Sequence, residues 1–240
     1  MSITKYIPNT ITSLNLLCGV LGVIAVFKGF LDQAFYLMLA AAVFDFCDGL
    51  AARMLDAYSD MGKELDSLSD MVSFGVLPSL MMFTLSGECC NSLIISLVAV
   101  FVAVFSGLRL AKFNVDERQK DAFLGLATPA SALLCGSLCC YFCYEPASVI
   151  AMWCYGSWFI PAVCIALCVL LVIDLPMFSF KFGKGTKQDR ASLFKRLSFI
   201  AEIIIIVAFV LIAGHHWSLA FVFSITLYIL KNIIYTIFRI

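Results

Sequence analysis

Four aspartates at helical spacing are the residues of this sequence most able to do chemistry. Asp45 and Asp48 lie three residues apart, and Asp66 and Asp70 lie four apart beyond a polar segment at 55–62. Residues three or four apart share a helix face, so two helices joined by a turn can aim all four carboxylates at one point. The flanking segments are apolar enough for a membrane, where clustered acids need a compensating charge, and hard divalent cations prefer oxygen ligands. The pattern predicts a divalent metal site suited to phosphoryl-type transfer.

The elements that must position these aspartates are predicted to be membrane helices. The chain has 240 residues, 62% hydrophobic and 13% charged, whereas a soluble domain carries about 25% charged residues. Eight apolar runs approach the ~20 residues that a bilayer crossing needs. They span about 11–30, 33–54, 63–85, 91–113, 122–143, 148–173, 199–214 and 217–237. The prediction is an all-α polytopic membrane helix bundle with about eight transmembrane helices.

The positions of the basic residues predict the orientation of this bundle. With both termini in the cytoplasm, all but Lys28 of the 16 Lys and Arg residues lie on the inner side, as the positive-inside rule requires. The four aspartates and the 55–62 turn then also face the cytoplasm. The basic loop at 174–198 is expected to be an inner anchor or a surface that attracts anionic lipid. His215 and His216 fall on the outer side, where a solvated turn is expected.

The aspartates belong to a longer pattern, Asp-x2-Asp-Gly-x2-Ala-Arg-x8-Gly-x3-Asp-x3-Asp. All eight of its fixed positions are present, namely Asp45, Asp48, Gly49, Ala52, Arg53, Gly62, Asp66 and Asp70. On these residues the sequence resembles the CDP-alcohol phosphatidyltransferase family. The resemblance implies that an alcohol attacks the lipid-side phosphorus of a CDP-linked lipid and releases CMP.

The resemblance also implies a role for each matched position. The four aspartates are implied to hold divalent metal, two ions of Mg²⁺ or Mn²⁺, and Asp70 to be the base that takes the proton of the acceptor hydroxyl. The implied CDP-lipid contacts are Asn9, Asn15, Asp48, Gly49, Ala52, Arg53, Gly62 and Asp66. The residue types suit these roles, because Gly49 lets a ligand approach the helix backbone and Arg53 offers a planar fork to phosphate. Asn9 and Asn15 could instead cap a helix or bridge two helices.

The flanking segments narrow the choice of acceptor. Five segments resemble the members of the family that use serine: 7–15, 74–78, 109–114, 125–130 and 178–181. Ala127 departs from them, because those members usually have proline there. The resemblance implies that CDP-diacylglycerol and L-serine give phosphatidylserine and CMP.

Candidate acceptor- and phosphate-binding residues lie on or beside the predicted end of the fourth helix. They are Arg109, Lys112, Asn114, Arg118 and Lys120. A serine carboxylate would pair with Arg or Lys, but so would the phosphate of glycerol 3-phosphate or of an inositol phosphate, and these acceptors stay open. The basic residues could also be positive-inside anchors. A non-catalytic ion carrier is a further alternative, although carrier sites tend to lie at mid-bilayer rather than at helix ends.

The resemblance covers nearly the whole chain and implies a single integral membrane domain, 1–240. Residues 1–173 are expected to form a six-helix core, 174–198 the basic cytoplasmic loop, and 199–240 two additional helices. A homodimer in the cytoplasmic (inner) membrane is implied, with membrane lipids as further partners. No nucleic-acid partner is expected.

Overall fold

Long apolar helices make up most of the structure. The structure, a computed structural model, describes residues 6–90, 92–116, 123–155, 158–177 and 188–238, the side chains of Phe123 and 188–197 excepted. Within these residues, five helical stretches are long and apolar enough to cross a membrane. They are Tyr6–Phe27 (α1), Leu31–Met54 (α2), Asp60–Cys90, Leu93–Val115 and Ser218–Phe238.

Two of these stretches are composite. Asp60–Cys90 consists of α3 (Asp60–Asp70), a π-helical turn (Met71–Val76) and α4 (Leu77–Cys90). Leu93–Val115 consists of α5 (Leu93–Ser96), a 3₁₀ turn (Leu97–Ala99) and α6 (Val100–Val115). The other helices are α7 (Thr128–Tyr144), α8 (Val149–Cys154), α9 (Phe159–Val172), α10 (Gln188–Ile212) and α11 (Ser218–Phe238). One antiparallel pair of two-residue strands, β1 (Phe123–Leu124) with β2 (Pro176–Met177), is the only sheet in the described part of the chain.

The predicted all-α polytopic membrane bundle is confirmed. Beside the five long stretches, the described residues include three shorter apolar helical segments, Thr128–Tyr144, Phe159–Val172 and Ser198–Ile212. Together they correspond to the eight apolar runs of the sequence.

Two predicted boundaries are wrong. The sixth run is not one helix, because α8 ends at Cys154 and α9 begins at Phe159. The seventh helix begins at Gln188 rather than near 199, so the end of the predicted loop at 174–198 is helical. Hydropathy marks only the membrane-crossing part of a helix, whereas the Gln, Arg, Ala, Leu and Lys residues before it have good helix propensity.

Helix α1 packs closely against the segment that follows α3. A Cβ atom on Gly19 would lie only 2.4 Å from Ser73 Oγ, so this position has no room for a side chain. Small residues allow membrane helices to approach closely. The same buried face of α1 carries Thr12 and Asn15, which are therefore held beside the helical residues around Asp70.

The apolar core lies behind the site, between α2, α4 and α7. Phe35 and Met38 of α2 and Met82 of α4 are fully buried there. A Cβ on Gly136 of α7 would lie 2.0 Å from Met38 Cε, which shows how tightly α7 and α2 approach. This packing fixes the long helix that carries the first two aspartates of the signature.

Candidate active site

Three carboxylates converge where α2 and α3 meet. Each of Asp45, Asp48 and Asp66 offers an oxygen, and these oxygens all lie within 4.8 Å of one another. Asp48 is buried and the other two are half-buried. One oxygen of Asp48, Oδ2, is buried with no hydrogen-bond partner among the residues that the structure describes. Three acids this close, with one oxygen unsatisfied, fit a hard divalent cation, which oxygen ligands could hold.

The turn between α2 and α3 sets the approach of the two helices. Asp56 has a left-handed backbone, with φ at 47°, and reverses the chain after α2. Ser59 caps α3, because its side chain accepts a hydrogen bond of 3.0 Å from the backbone N–H of Gly62. A cap of this kind satisfies a helix N–H that would otherwise lack a partner. The cap starts α3 so that Asp66 lies beside Asp48.

Asp70 is adjacent to these acids but is not part of the group of three. Its Oδ1 atom accepts a hydrogen bond of 3.4 Å from Asn15 Nδ2 on α1. Asn15 is fully buried, and its own Oδ1 has no hydrogen-bond partner in the described part of the chain. Asp70 is half-buried. The fourth aspartate of the signature is thus tied to α1, and its role as a metal ligand stays a prediction.

A cavity of about 230 Å³ opens beside the carboxylates. Its lining residues are Pro8, Asn9, Thr12, Asp48, Gly49, Ala52, Ala57, Tyr58, Ser59, Gly62, Lys63 and Asp66. A Cβ added to Gly49 would meet no atom of the described residues within 4 Å, so this glycine faces open space among them. Arg53 is exposed at the end of α2, and neither Arg53 nor Asn15 is among the lining residues.

Six of the eight predicted CDP-lipid residues therefore meet at this cavity. Six other lining residues were not predicted, namely Pro8, Thr12, Ala57, Tyr58, Ser59 and Lys63. Spacing offers a signal for two of them. Pro8 and Thr12 lie four residues apart on α1, and Asn15 follows three residues later, so that the three residues share one buried face.

Three of the predicted acceptor residues are described by the structure, and all three lie on α6. Arg109 is buried, with its guanidinium carbon 5.1 Å from the centre of the Phe113 ring. Lys112 forms an ion pair with Asp174 and donates a hydrogen bond of 3.1 Å to the carbonyl of Val172. Lys112 is thus engaged with the end of α9.

One acceptor candidate lies near the carboxylates. Asn114 Nδ2 donates a hydrogen bond of 2.8 Å to Ser67 Oγ, and Ser67 is the residue after Asp66. Arg118 and Lys120 lie outside the described residues. The acceptor assignments stay predictions.

A second group of titratable residues lies near the other end of α2. His215 Nδ1 lies 2.6 Å from Glu145 Oε2, and the backbone N–H of His216 donates to Glu145 Oε1. The His216 ring stacks on Tyr144 at 4.1 Å between ring centroids. The expectation of a solvated turn at these histidines is wrong, because the end of α7 provides both an acid and an aromatic surface.

Comparison with known proteins identifies the family. The model of the family described as CDP-alcohol phosphatidyltransferase matches residues 5–161, which is more than half of the chain. The chain belongs to the CDP-alcohol phosphatidyltransferase family. The family predicted from the signature is therefore confirmed, and the carboxylates and the cavity all lie within the matched segment of this transferase.

Curated relatives of this CDP-alcohol phosphatidyltransferase carry related names. A CDP-diacylglycerol–serine O-phosphatidyltransferase of Bacillus subtilis is 36% identical over 129 residues, covering 54% of this chain and 72% of the relative. The protein of the same name from Mycobacterium tuberculosis is 30% identical over 218 residues, covering 87% and 73%. An archaetidylserine synthase of Methanothermobacter thermautotrophicus is 35% identical over 140 residues, covering 56% and 59%.

Proposed function

We propose that this transferase moves the phosphatidyl group of CDP-diacylglycerol to the hydroxyl of L-serine, giving phosphatidylserine and CMP. The observation that carries the proposal is the meeting of three carboxylates within 4.8 Å beside a cavity lined by the signature glycines. The relatives named for serine transfer support the choice of acceptor.

The acidic group is suited to Mg²⁺ or Mn²⁺. Asp45, Asp48 and Asp66 would hold the metal, with Asp70 as the fourth ligand when two ions bind. A bound cation would compensate the cost of burying Asp48 Oδ2, which has no hydrogen-bond partner among the described residues. When bound, divalent cations neutralise the charge of the pyrophosphate oxygens as the phosphoryl group transfers.

The cavity is the proposed seat of the CDP group. Asn9 of α1, Gly49 and Ala52 of α2, and Gly62 of α3 surround it. The small residues leave room for the nucleotide between the helices. Arg53 at the end of α2 would pair with phosphate from the exposed side.

The proposed chemical step is a displacement at the phosphorus that carries the diacylglycerol. The serine hydroxyl oxygen forms the new bond to phosphorus, and the bond from that phosphorus to the CMP oxygen breaks. Asp70 accepts the hydroxyl proton through a carboxylate oxygen. A carboxylate held in place beside the hydroxyl lowers the barrier by general-base catalysis.

The serine carboxylate is proposed to bind on the α6 side of the site. Arg109, Lys112 and Asn114 are the candidates there, with Arg118 and Lys120 further along the chain. Asn114 is tied to α3 through Ser67, which keeps this end of α6 next to the acids. Binding through Lys112 would require it to leave Asp174.

The transferase is further proposed to lie in the cytoplasmic (inner) membrane with both termini and the active site on the cytoplasmic side. The distribution of Lys and Arg supports this orientation. A homodimer is proposed from the family resemblance.

Release of CMP by the purified protein in mixed micelles tests the function. CDP-diacylglycerol is supplied with serine, glycerol 3-phosphate, inositol phosphate or no acceptor, each with Mn²⁺ or with EDTA. Release that requires both serine and metal is expected. Release driven by a phosphorylated acceptor alone would overturn the choice of serine. No release with any acceptor, together with ion flux in vesicles, would favour a carrier.

A further inference from the structure

Two asparagines of α1 that share an expected role lie in different surroundings. Asn9 lines the cavity, and its Oδ1 lies 2.9 Å from the position that a Cβ of Gly62 would take. Asn15 is six residues further along α1 and is not among the residues that line the cavity. The geometry therefore separates Asn15 from the proposed seat of the nucleotide.

Asn15 instead faces the proposed base. It is 0% exposed, and its Nδ2 donates a hydrogen bond of 3.4 Å to Asp70 Oδ1. Its own Oδ1 is buried, and none of the described residues forms a hydrogen bond with it. A buried amide oxygen without a partner is costly, and such groups in native structures call for an explanation such as a ligand or a catalytic role.

The backbone at Asn15 is fixed by the segment that follows Asp70. Ser73 Oγ donates a hydrogen bond of 3.1 Å to the carbonyl oxygen of Asn15. Ser73 lies in the π-helical turn Met71–Val76, and this close approach is possible because residue 19 is glycine. Single π-helical turns inside α-helices are frequent at functional sites. Both ends of Asn15 are thus tied to the helix that carries Asp70.

We propose that Asn15 belongs to the acceptor half of the site. Its Nδ2 holds one oxygen of Asp70 and so orients that carboxylate toward the acceptor hydroxyl, while its Oδ1 accepts a hydrogen bond from a second donor group of the acceptor, which in serine is the ammonium group. Asn15 is then a positioning residue for the base and a contact for the acceptor, and it does not contact the CDP group. This inference rests on the proposed function and deepens it.

Matched variants on the same helix test the assignment. Asn15→Leu and Asn9→Leu remove the same amide at two places, and each protein is assayed for CDP-diacylglycerol binding with Mn²⁺ in the absence of acceptor. Asn15→Leu is expected to bind the CDP-lipid as the wild type does. It is expected to lower kcat/KM for serine about 10- to 100-fold, the usual cost of losing a supporting hydrogen bond. Asn9→Leu is expected to weaken CDP-lipid binding.

Two more variants separate positioning from packing. Asn15→Asp keeps the size of the side chain and Oδ1 but replaces the donor, so it is expected to lose as much serine turnover as Asn15→Leu. Wild-type turnover by Asn15→Asp would overturn the proposal. If the Asn15 variants do not fold, Ser73→Ala, which removes the bond to the Asn15 carbonyl, is expected to lower kcat/KM for serine about threefold with CDP-lipid binding unchanged. Unchanged turnover in Ser73→Ala would then count against the proposal.

The experiment distinguishes failure of the proposed function from failure of the assignment of Asn15. A wild-type protein that binds CDP-diacylglycerol but releases no CMP with serine would overturn the proposed function, and the acceptor that does release CMP would then be used for the rate comparison. If Asn15→Leu weakens CDP-lipid binding as much as Asn9→Leu does, Asn15 is a nucleotide contact and the inference is wrong, whichever acceptor the protein uses.

Discussion

The two ends of α2 carry clusters of titratable groups that differ in how they are satisfied. Near the end of α2, Asp48 has a buried oxygen that forms no hydrogen bond within the described ranges of the chain. Near its start, Asp32 Oδ2 accepts a hydrogen bond from Tyr144, and both oxygens of the nearby Glu145 are engaged by His215 and His216. Asp32 and Asp48 are about 24 Å apart along the helix, at 1.5 Å per residue.

This difference in hydrogen bonding distinguishes a candidate ligand-binding site from a contact that stabilises the fold. Acids that repel one another and keep a buried oxygen unpaired destabilise the protein unless a cation binds. An acid whose oxygens are all paired within the protein ties its helices together. On this basis we infer that the Asp45, Asp48 and Asp66 group binds a ligand, whereas the Glu145 contact anchors the turn between α10 and α11 to the end of α7.

The largest expected effect is the loss of turnover when one acid of the α2–α3 group is neutralised. Asp66→Asn keeps the size of the side chain but removes a charged ligand, so CMP release is expected to fall by about 10³-fold or more. The melting temperature in detergent is expected to stay the same or rise, because the substitution removes one of the negative charges that repel one another in this group. Asp60→Asn, an exposed position in the first turn of α3, is the matched control and should keep its activity. Near-normal turnover by Asp66→Asn would show that the metal assignment is wrong.

The second-largest effect is expected at one of two glycines with contrasting surroundings: Gly49 borders the open cavity, whereas Gly19 lies in a tight contact between helices. Gly49 faces the open cavity, so Gly49→Leu is expected to fill space that the CDP group needs and to raise KM for CDP-diacylglycerol about tenfold or more. The free energy of unfolding should not fall, since leucine is the better helix former by about 0.8 kcal/mol. An unchanged KM in steady-state kinetics would place the nucleotide elsewhere.

Substitution of Gly19 is expected to lower stability rather than substrate affinity. A Cβ there would overlap Ser73 Oγ, so Gly19→Ala is expected to destabilise the protein by about 1–3 kcal/mol, the usual cost of overpacking. Thermal unfolding in detergent measures the loss. CDP-diacylglycerol binding by the folded fraction should be unchanged, and a variant as stable as the wild type would contradict the close packing of α1 on the π-helical turn.

The smallest expected effect is at the paired end of α2. Burial alone would raise the pKa of Glu145, but hydrogen bonds from His215 and from the backbone N–H of His216 lower that pKa below its usual value. A lowered pKa means that the carboxylate stabilises the fold above its unfolded value of about 4.3 and that this stability is lost as the pH falls through the folded pKa.

Replacing this acid therefore has a pH-dependent result. Glu145→Gln is expected to lower stability by about 1 kcal/mol at pH 7, and the gap to the wild type should close as the pH falls below about 4. Melting curves of both proteins across this pH range measure the gap, and CMP release at pH 7 should be unaffected. A gap that widens in acid would contradict the pairing of Glu145.

The convergence of the α2 and α3 carboxylates could be predicted from the sequence because the information for it is local. Helical periodicity places Asp45 and Asp48 on one face of α2, and a short turn brings Asp66 of α3 opposite that face. The turn chemistry at Ser59 was not predicted, although Ser before an acidic first turn is a usual capping pattern.

The contacts of Asn15 and Lys112 could not be predicted because they join distant parts of the chain. Asn15 meets Asp70 across 55 residues, and Lys112 meets Asp174 across 62. The π-helical turn after Asp70 has no periodic signal of its own. The same limit explains the error at His215, whose partner Glu145 is 70 residues away.

Binding of Mn²⁺ to the purified protein, followed by electron paramagnetic resonance, tests most directly whether the α2–α3 carboxylates form a cation site. Asp48→Asn and Asp32→Asn alter acids of the same helix, one in the unsatisfied group and one in the paired group. We expect Asp48→Asn to weaken Mn²⁺ binding about tenfold or more, because a ligand is lost, and Asp32→Asn to leave Mn²⁺ binding unchanged. Equal Mn²⁺ affinity in Asp48→Asn and the wild type would show that the α2–α3 carboxylates do not form a cation site.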